Sequence, residues 1–138
     1  MVTIPWRPGP AAHGPSPSEV TVMASRFELR TVRAVPSFLA ASITAWWQAL
    51  HDEGCLGVSL QARPLAREFW TLSAWTSQDA VYRYARAAPH AGAARTQTAQ
   101  MTSSTFVFWD VSTTALPASW ADGKRRVRDR METAPDTE

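Results

Sequence analysis

The stretch from Glu68 to His90, EFWTLSAWTSQDAVYRYARAAPH, constrains the fold more than any other part of the chain. Side chains alternate between the two faces of a strand, which divides the first half of this stretch into two sets: Phe69, Thr71, Ser73 and Trp75 on one face, and Trp70, Leu72 and Ala74 on the other. Both sets contain large apolar side chains, so both faces of this strand are predicted to be buried. Ser77 then occupies an N-cap position with Asp79 in the first turn, which predicts a helix directly after the strand.

The rest of the chain supplies the other elements of a small α+β fold. Apolar alternation and helical spacing predict strands over 19–31, 55–63, 68–75 and 104–111, and helices over 36–53 and from Ser77 towards Pro89. In the first helix the spacing places four apolar side chains on the core face: Leu39, Ile43, Trp46 and Leu50. The order strand, helix, strand, strand, helix, strand is that of the ferredoxin-like βαββαβ fold with one four-stranded antiparallel sheet.

The composition of the two sheet faces predicts that the chain pairs with a second copy of itself. Helices can cover only one face, whereas the second, third and fourth strands are apolar on both. The second face is therefore expected to pack against another sheet, in a homodimer.

The chain divides into three parts. Residues 1–18 are rich in proline and glycine and are predicted to be a disordered arm. Residues 19–117 contain the α+β domain, and residues 118–138 are predicted to form a short polar helix and a frayed tail.

Composition excludes several functions. The formal net charge is only +2, and the basic cluster at 124–130 is interleaved with acids, which favours a solvated helix face over a nucleic-acid site. Three scattered histidines and one cysteine lack metal-ligand spacing. Cys55 is expected to be a small core residue. No apolar run is long enough for a membrane helix, and the single cysteine and the lack of a signal peptide predict a cytoplasmic protein.

Four segments carry a resemblance to a known family: FWTLSAW, TSQDA, AAPHAGA and TFVFWDV. With these the chain resembles the dimeric α/β-barrel superfamily, in particular the antibiotic biosynthesis monooxygenase-like proteins, and it is also similar to spheroidene monooxygenase-type proteins. The resemblance implies a pocket between sheet and helices that takes a small apolar or aromatic molecule. The activity it suggests first is oxygenation of an electron-rich phenol or anthrone without a cofactor.

Such chemistry needs a base that removes a proton from the substrate. His90 is the candidate catalytic residue, because a neutral imidazole accepts a proton near neutral pH; the alternative is a structural histidine that donates to a backbone carbonyl. The candidate substrate-binding residues are Trp75, Trp46, Tyr82 and Trp70, with Arg95 as a possible anion anchor. Trp75 matches a tryptophan at the end of this strand in many superfamily members, although an aromatic plug under the helix is an equal alternative.

Three functions stay open at this point. The first is a homodimeric enzyme that acts on an aromatic or polyketide-like compound, either as a monooxygenase or as a cyclase or isomerase that begins with the same proton abstraction. The second is a protein that binds haem or an apolar ligand without turnover. Haem-degrading relatives place a ligand histidine where this chain has Ala94 and Arg95, so haem would require His90 as its ligand. The third is a structural or accessory dimer.

Overall fold

A computed structural model of the chain describes residues 2–15, 17–87 and 97–133. These residues form an α+β fold of one sheet with helices on both of its faces. The strands are β1 (Val2–Pro8), β2 (Glu19–Leu29), β3 (Cys55–Arg63), β4 (Glu68–Trp75) and β5 (Met101–Ser112), and the helices are α1 (Val35–Leu50), α2 (Gln78–Arg86) and α3 (Trp120–Thr133).

The sheet is antiparallel throughout, and its strands lie in the order β1-β3-β4-β2-β5. Strand β2 is an inner strand: Val22 is opposite Ala74 of β4 on one side and opposite Trp109 of β5 on the other. The four strands from β2 to β5, with α1 and α2 between them, have the connectivity of the ferredoxin-like fold. The predicted fold class is therefore confirmed, with one strand more than expected.

The additional strand is β1, which pairs with the outer edge of β3. The sequence predicts a disordered arm here, and that prediction is wrong for residues 2–8. Pro5 and Pro8 are tolerated because β1 is an edge strand. The indole of Trp6 packs against Gly57, where an added Cβ would lie 2.2 Å from the ring, and Ser59 Oγ donates to the carbonyl oxygen of Ile4 at 2.8 Å. One tryptophan and a ladder of backbone hydrogen bonds thus order a proline-rich segment.

Helices α1 and α2 cover the first face of the sheet. Helix α2 begins where the sequence predicts: Ser77 is its N-cap, and the Ser77 hydroxyl accepts from the backbone N–H of Ala80 at 3.2 Å. The buried side chains of Val81 and Tyr84 hold α2 against Trp75 at the end of β4. The face of the sheet that carries Trp75 is therefore the face covered by α1 and α2.

Helix α3 packs on the opposite face. Val127 is fully buried there against Val22 and Leu72. Gly123 lies so close to the sheet that an added Cβ would be 3.1 Å from Leu72 Cδ1. The apolar second face thus has a cover within the same chain, so its composition no longer requires a second sheet. The homodimer itself stays a prediction.

The outer face of α1 is unexpectedly apolar. Leu39, Ile43 and Trp47 are 36%, 45% and 59% exposed, so the prediction that Leu39 and Ile43 enter the core is wrong. Val35 and Phe38 are the large buried side chains of α1, and small residues occupy much of the rest of its inner face. Helical spacing identified an apolar face, but α1 is apolar on two faces and the larger side chains lie outside.

Candidate functional site

A cavity of about 220 Å³ lies between α1, the end of α2 and the first face of the sheet. Small side chains of α1 leave this space open, and strand side chains form its floor. Its described lining consists of Met23, Ser25, Phe27, Phe38, Ala41, Ser42, Ala45, Trp46, Ala49, Val58, Leu60, Thr71, Ser73, Trp75, Tyr84, Gln97, Thr98, Met101, Ser104 and Phe106. No side chain in this set carries a formal charge at neutral pH. The cavity is therefore an apolar space with a few neutral polar groups, the usual composition of a small-molecule site.

Most of these polar groups already have partners within the protein. The Ser25 and Thr71 hydroxyls are hydrogen-bonded to each other across β2 and β4. Trp75 Nε1 donates to Ser73 Oγ at 2.8 Å. The Tyr84 hydroxyl donates to the Ala45 carbonyl at 2.6 Å, and burial raises the pKa of Tyr84 above its ordinary value of 10.0. Tyr84 is therefore neutral at cellular pH and ties α2 to α1.

Two buried polar atoms of the lining have no partner. Trp46 Nε1, a donor, and Gln97 Oε1, an acceptor, are both buried without a hydrogen bond in the described structure. The Gln97 side chain is 94% buried, since it is only 6% exposed, and its Nε2 donates to Ser37 Oγ at 2.9 Å. Nearly all buried polar groups in proteins are hydrogen-bonded, so these two atoms indicate where a ligand would make polar contacts.

The structure brings two of the predicted site residues into the cavity. Trp75 is 1% exposed and stacks on Tyr84 with ring centroids 4.8 Å apart. Strand parity separates Trp75 from Trp70, and the contact with Tyr84 places Trp75 on the face covered by α1 and α2. Trp46 lines the same cavity from α1, while the adjacent Trp47 points outward against His51. Whether Trp75 and Trp46 contact a substrate stays a prediction.

Two other predicted residues lie elsewhere. Trp70 is five residues before Trp75, so it faces the opposite side of the sheet, where Lys124 Nζ is 5.3 Å from its ring centroid. Tyr82 is 42% exposed and receives a hydrogen bond from Gln78 Nε2 at 2.7 Å. Neither lines the cavity, so the prediction that they shape this pocket is corrected. Tyr84 takes the place expected of Tyr82, because a shift of two residues on a helix changes the face.

The predicted base and anion anchor, His90 and Arg95, lie outside the described residues. The sequence reasoning also missed Gln97, which follows directly after this segment. The sequence did carry a signal for the cavity itself. Ser25, Thr71 and Ser73 are polar side chains on the inward faces of otherwise apolar strands. Polar groups on the inward face of a buried strand favour a cavity over a solid core.

Haem was the alternative cofactor. Haem iron is bound by His, Cys, Met or Tyr, and the described lining offers only Met23, Met101 and Tyr84, whose hydroxyl donates to Ala45. Cys55 is buried outside the lining, and burial raises its thiol pKa to about 12. The cavity of about 220 Å³ is smaller than most ligand pockets, roughly 300–1,000 Å³, which favours two or three fused rings over a tetrapyrrole. The described residues do not fit haem.

Two further findings concern the described part of the chain. No group of three or more His, Cys, Asp or Glu side chains there is arranged to hold a metal ion. None of the helices described is long and apolar enough to cross a membrane.

The chain is a ferredoxin-like α+β protein with an apolar cavity between its sheet and helices, and solved structures share this fold. SnoaB from Streptomyces nogalater, described as a cofactor-independent oxygenase, is 19% identical over 74% of this chain and 100% of its own, with a TM-score of 0.56. A candidate antibiotic biosynthesis monooxygenase from Nitrosomonas europaea is 14% identical over 72% and 94%, with a TM-score of 0.61. Rv0793 from Mycobacterium tuberculosis is 17% identical over 75% and 99%, with a TM-score of 0.56.

No protein-family model and no curated protein matches the sequence. At these identities the structural likeness establishes the fold alone. The chain has the ferredoxin-like fold of the antibiotic biosynthesis monooxygenase-like proteins, and the resemblance seen in the sequence is confirmed at that level.

Proposed function

We propose that this chain is a monooxygenase that acts without a cofactor on a neutral aromatic compound bound between α1 and the sheet. The observation that carries the proposal is the cavity itself: an uncharged, largely apolar space with an unpartnered donor and an unpartnered acceptor. Solved proteins with the same fold that are described as monooxygenases support the kind of activity. An apolar cavity also favours O₂, a small apolar molecule, as the second reactant.

The reaction balances without an external reductant when the substrate supplies all four electrons that reduce O₂. Oxidation of an anthrone CH₂ group by O₂ gives the quinone carbonyl and one water: one oxygen atom enters the product, and the other leaves with the two hydrogens. A phenol with a free para position is converted to a quinone with the same balance. Substrates of these two kinds are therefore the ones that need no flavin, haem or metal.

The described lining limits how the proton is removed. It contains no imidazole or carboxylate, and Tyr84, its titratable group, is kept neutral by burial. His90 is therefore proposed as the base, because an imidazole side chain can accept a proton near neutral pH. Trp75 and Trp46 are proposed as walls that hold the aromatic rings. Arg95 is proposed as a partner for the oxyanion that forms when the proton is lost.

The test is oxidation of anthrone by purified protein treated with EDTA and freed of flavin and haem. We expect anthraquinone to form faster than with the same protein unfolded by heat, with one atom of ¹⁸O per product when ¹⁸O₂ is supplied. His90→Ala should lower this rate by on the order of 10²-fold. Dependence on added flavin or haem would contradict the cofactor-free proposal.

Two alternatives give other outcomes in the same experiment. A product isomeric with its substrate, formed without oxygen uptake, would indicate a cyclase or isomerase. Tight binding of anthrone with no product at all would indicate a ligand-binding protein. Either outcome would overturn the monooxygenase proposal.

A further inference from the structure

Trp46 and Gln97 both line one cavity, and each has a buried hydrogen-bonding atom of opposite kind without a partner in the described structure. Trp46 lies on α1, and its indole N–H can only donate. Gln97 uses its amide N–H on Ser37, which leaves the amide oxygen as a free acceptor. Both atoms are buried and unpartnered in the described structure, and both side chains belong to the lining.

We propose that Trp46 and Gln97 determine which ligand the cavity accepts: Trp46 Nε1 donates to an acceptor on the ligand, and Gln97 Oε1 accepts from a ligand hydroxyl. This inference rests on the proposed function, because it assumes that an aromatic ligand occupies the cavity. It adds that the ligand carries both a donor and an acceptor on an otherwise apolar ring system. A site built to hydrogen-bond a hydroxyl discriminates against analogues that lack it, because its own buried groups are then left unpaired.

In the orientation that the structure shows, Gln97 faces the ligand as an acceptor. Its amide N–H donates to Ser37 Oγ at 2.9 Å, which leaves Oε1 for a ligand donor. The Ser25, Thr71 and Ser73 hydroxyls already have partners within the sheet. Trp46 and Gln97 are therefore the groups that gain most from a polar ligand.

Three probes of similar shape separate the two contacts. Naphthalene has no polar group, 1-methoxynaphthalene can only accept, and 1-naphthol can accept and donate. We expect affinities, measured by calorimetry, to rise in that order by roughly 3- to 10-fold at each step, the factor that one net hydrogen bond supplies. Equal affinities for the three probes in the unaltered protein would overturn the inference while leaving the apolar pocket in place.

Two variants assign each step to its residue. Trp46→Phe should remove the advantage of 1-methoxynaphthalene over naphthalene, and Gln97→Met should remove the advantage of 1-naphthol over 1-methoxynaphthalene. Comparing two probes within one variant cancels any general change in pocket shape. If both affinity ratios persist in variants that are folded, as judged by circular dichroism, Trp46 and Gln97 do not form hydrogen bonds with the ligand.

Naphthalene separates this inference from the proposed function. If naphthalene and 1-naphthol both fail to bind at millimolar protein concentration, the cavity is not an aromatic site, and both the proposed function and the inference fail. If naphthalene binds but affinity does not rise from naphthalene to 1-methoxynaphthalene to 1-naphthol, only the inference fails.

Discussion

Trp70 and Trp75 show how far single residues can be placed from sequence. They are five positions apart on β4, and strand alternation alone puts them on opposite faces of the sheet. The structure confirms this separation: Trp75 lies against Tyr84 and the cavity, and Trp70 against the cations of α3. Gln97 could not be placed in the same way, because it lies outside any strongly periodic segment and its role depends on the fold around it.

The burial of Cys55 predicts how the free energy of unfolding depends on pH. Burial raises its pKa from 9.0 to about 12, so between these two pH values the unfolded thiol is ionised while the native thiol stays protonated. The unfolded state then binds fewer protons, and the free energy of unfolding should fall as pH rises, by up to about 1.4 kcal/mol per pH unit. Below pH 9 the contribution of the buried Cys55 thiol to the free energy of unfolding is fully present.

The measurement is urea unfolding at pH 8, 9 and 10, compared with Cys55→Ala. Tyr84 adds a fall of the same sign above pH 10, so the difference between the two proteins isolates the thiol. Identical pH slopes for both would show that Cys55 is not protected by burial. Rapid alkylation of the native thiol at pH 8 would point the same way.

At the scale of elements, local signals predicted α2 and β4 well. Ser77 caps α2 as expected because its hydroxyl satisfies an N–H that the helix leaves free. Strand β1 could not be predicted, since its order comes from an indole and a neighbouring strand about fifty residues away in sequence. The prediction of which face of α1 packs inward was wrong for a related reason: the cavity beneath α1 lets small side chains face inward.

The packing of Trp6 against Gly57 gives a prediction for β1. Gly57→Ala adds a methyl group where the Trp6 ring lies, 2.2 Å away, so β1 should be displaced from the sheet edge. We expect a loss of about 1–3 kcal/mol in the free energy of unfolding and faster amide exchange over residues 2–8.

Gly14→Ala is the matched control, because no atom lies within 4 Å of its added Cβ. Its effect should stay within about 0.5 kcal/mol. Unchanged amide exchange over residues 2–8 in Gly57→Ala would show that Trp6 does not hold β1 in place.

At the scale of the whole molecule, the homodimer predicted from the sequence acquires a different expected interface. Helix α3 covers the second sheet face, whereas α1 exposes Leu39, Ile43 and Trp47 on successive turns and carries no charged residue over its 16 positions. A two-fold pairing of this uncharged helix with its copy would meet no like-charge repulsion. We expect a scattering mass near twice the 15.2 kDa of one chain.

Ile43→Glu should then lower the mass to that of one chain, because it places a charge in the interface. Thr44→Glu, at the next exposed position, is the control. A mass of 15.2 kDa for the unaltered protein at micromolar concentration would contradict the dimer.

If the space between α1 and the sheet is the site of reaction, a side chain that fills this space should stop most of the activity. Ala41 lines the cavity, and the adjacent Ala40 is exposed on the same helix. Ala41→Phe should occupy the cavity and lower the rate of anthrone oxidation by on the order of 10²-fold through misplacement of the substrate, whereas Ala40→Phe should leave the rate unchanged. Equal rates in the two folded variants would show that the reaction takes place outside this cavity.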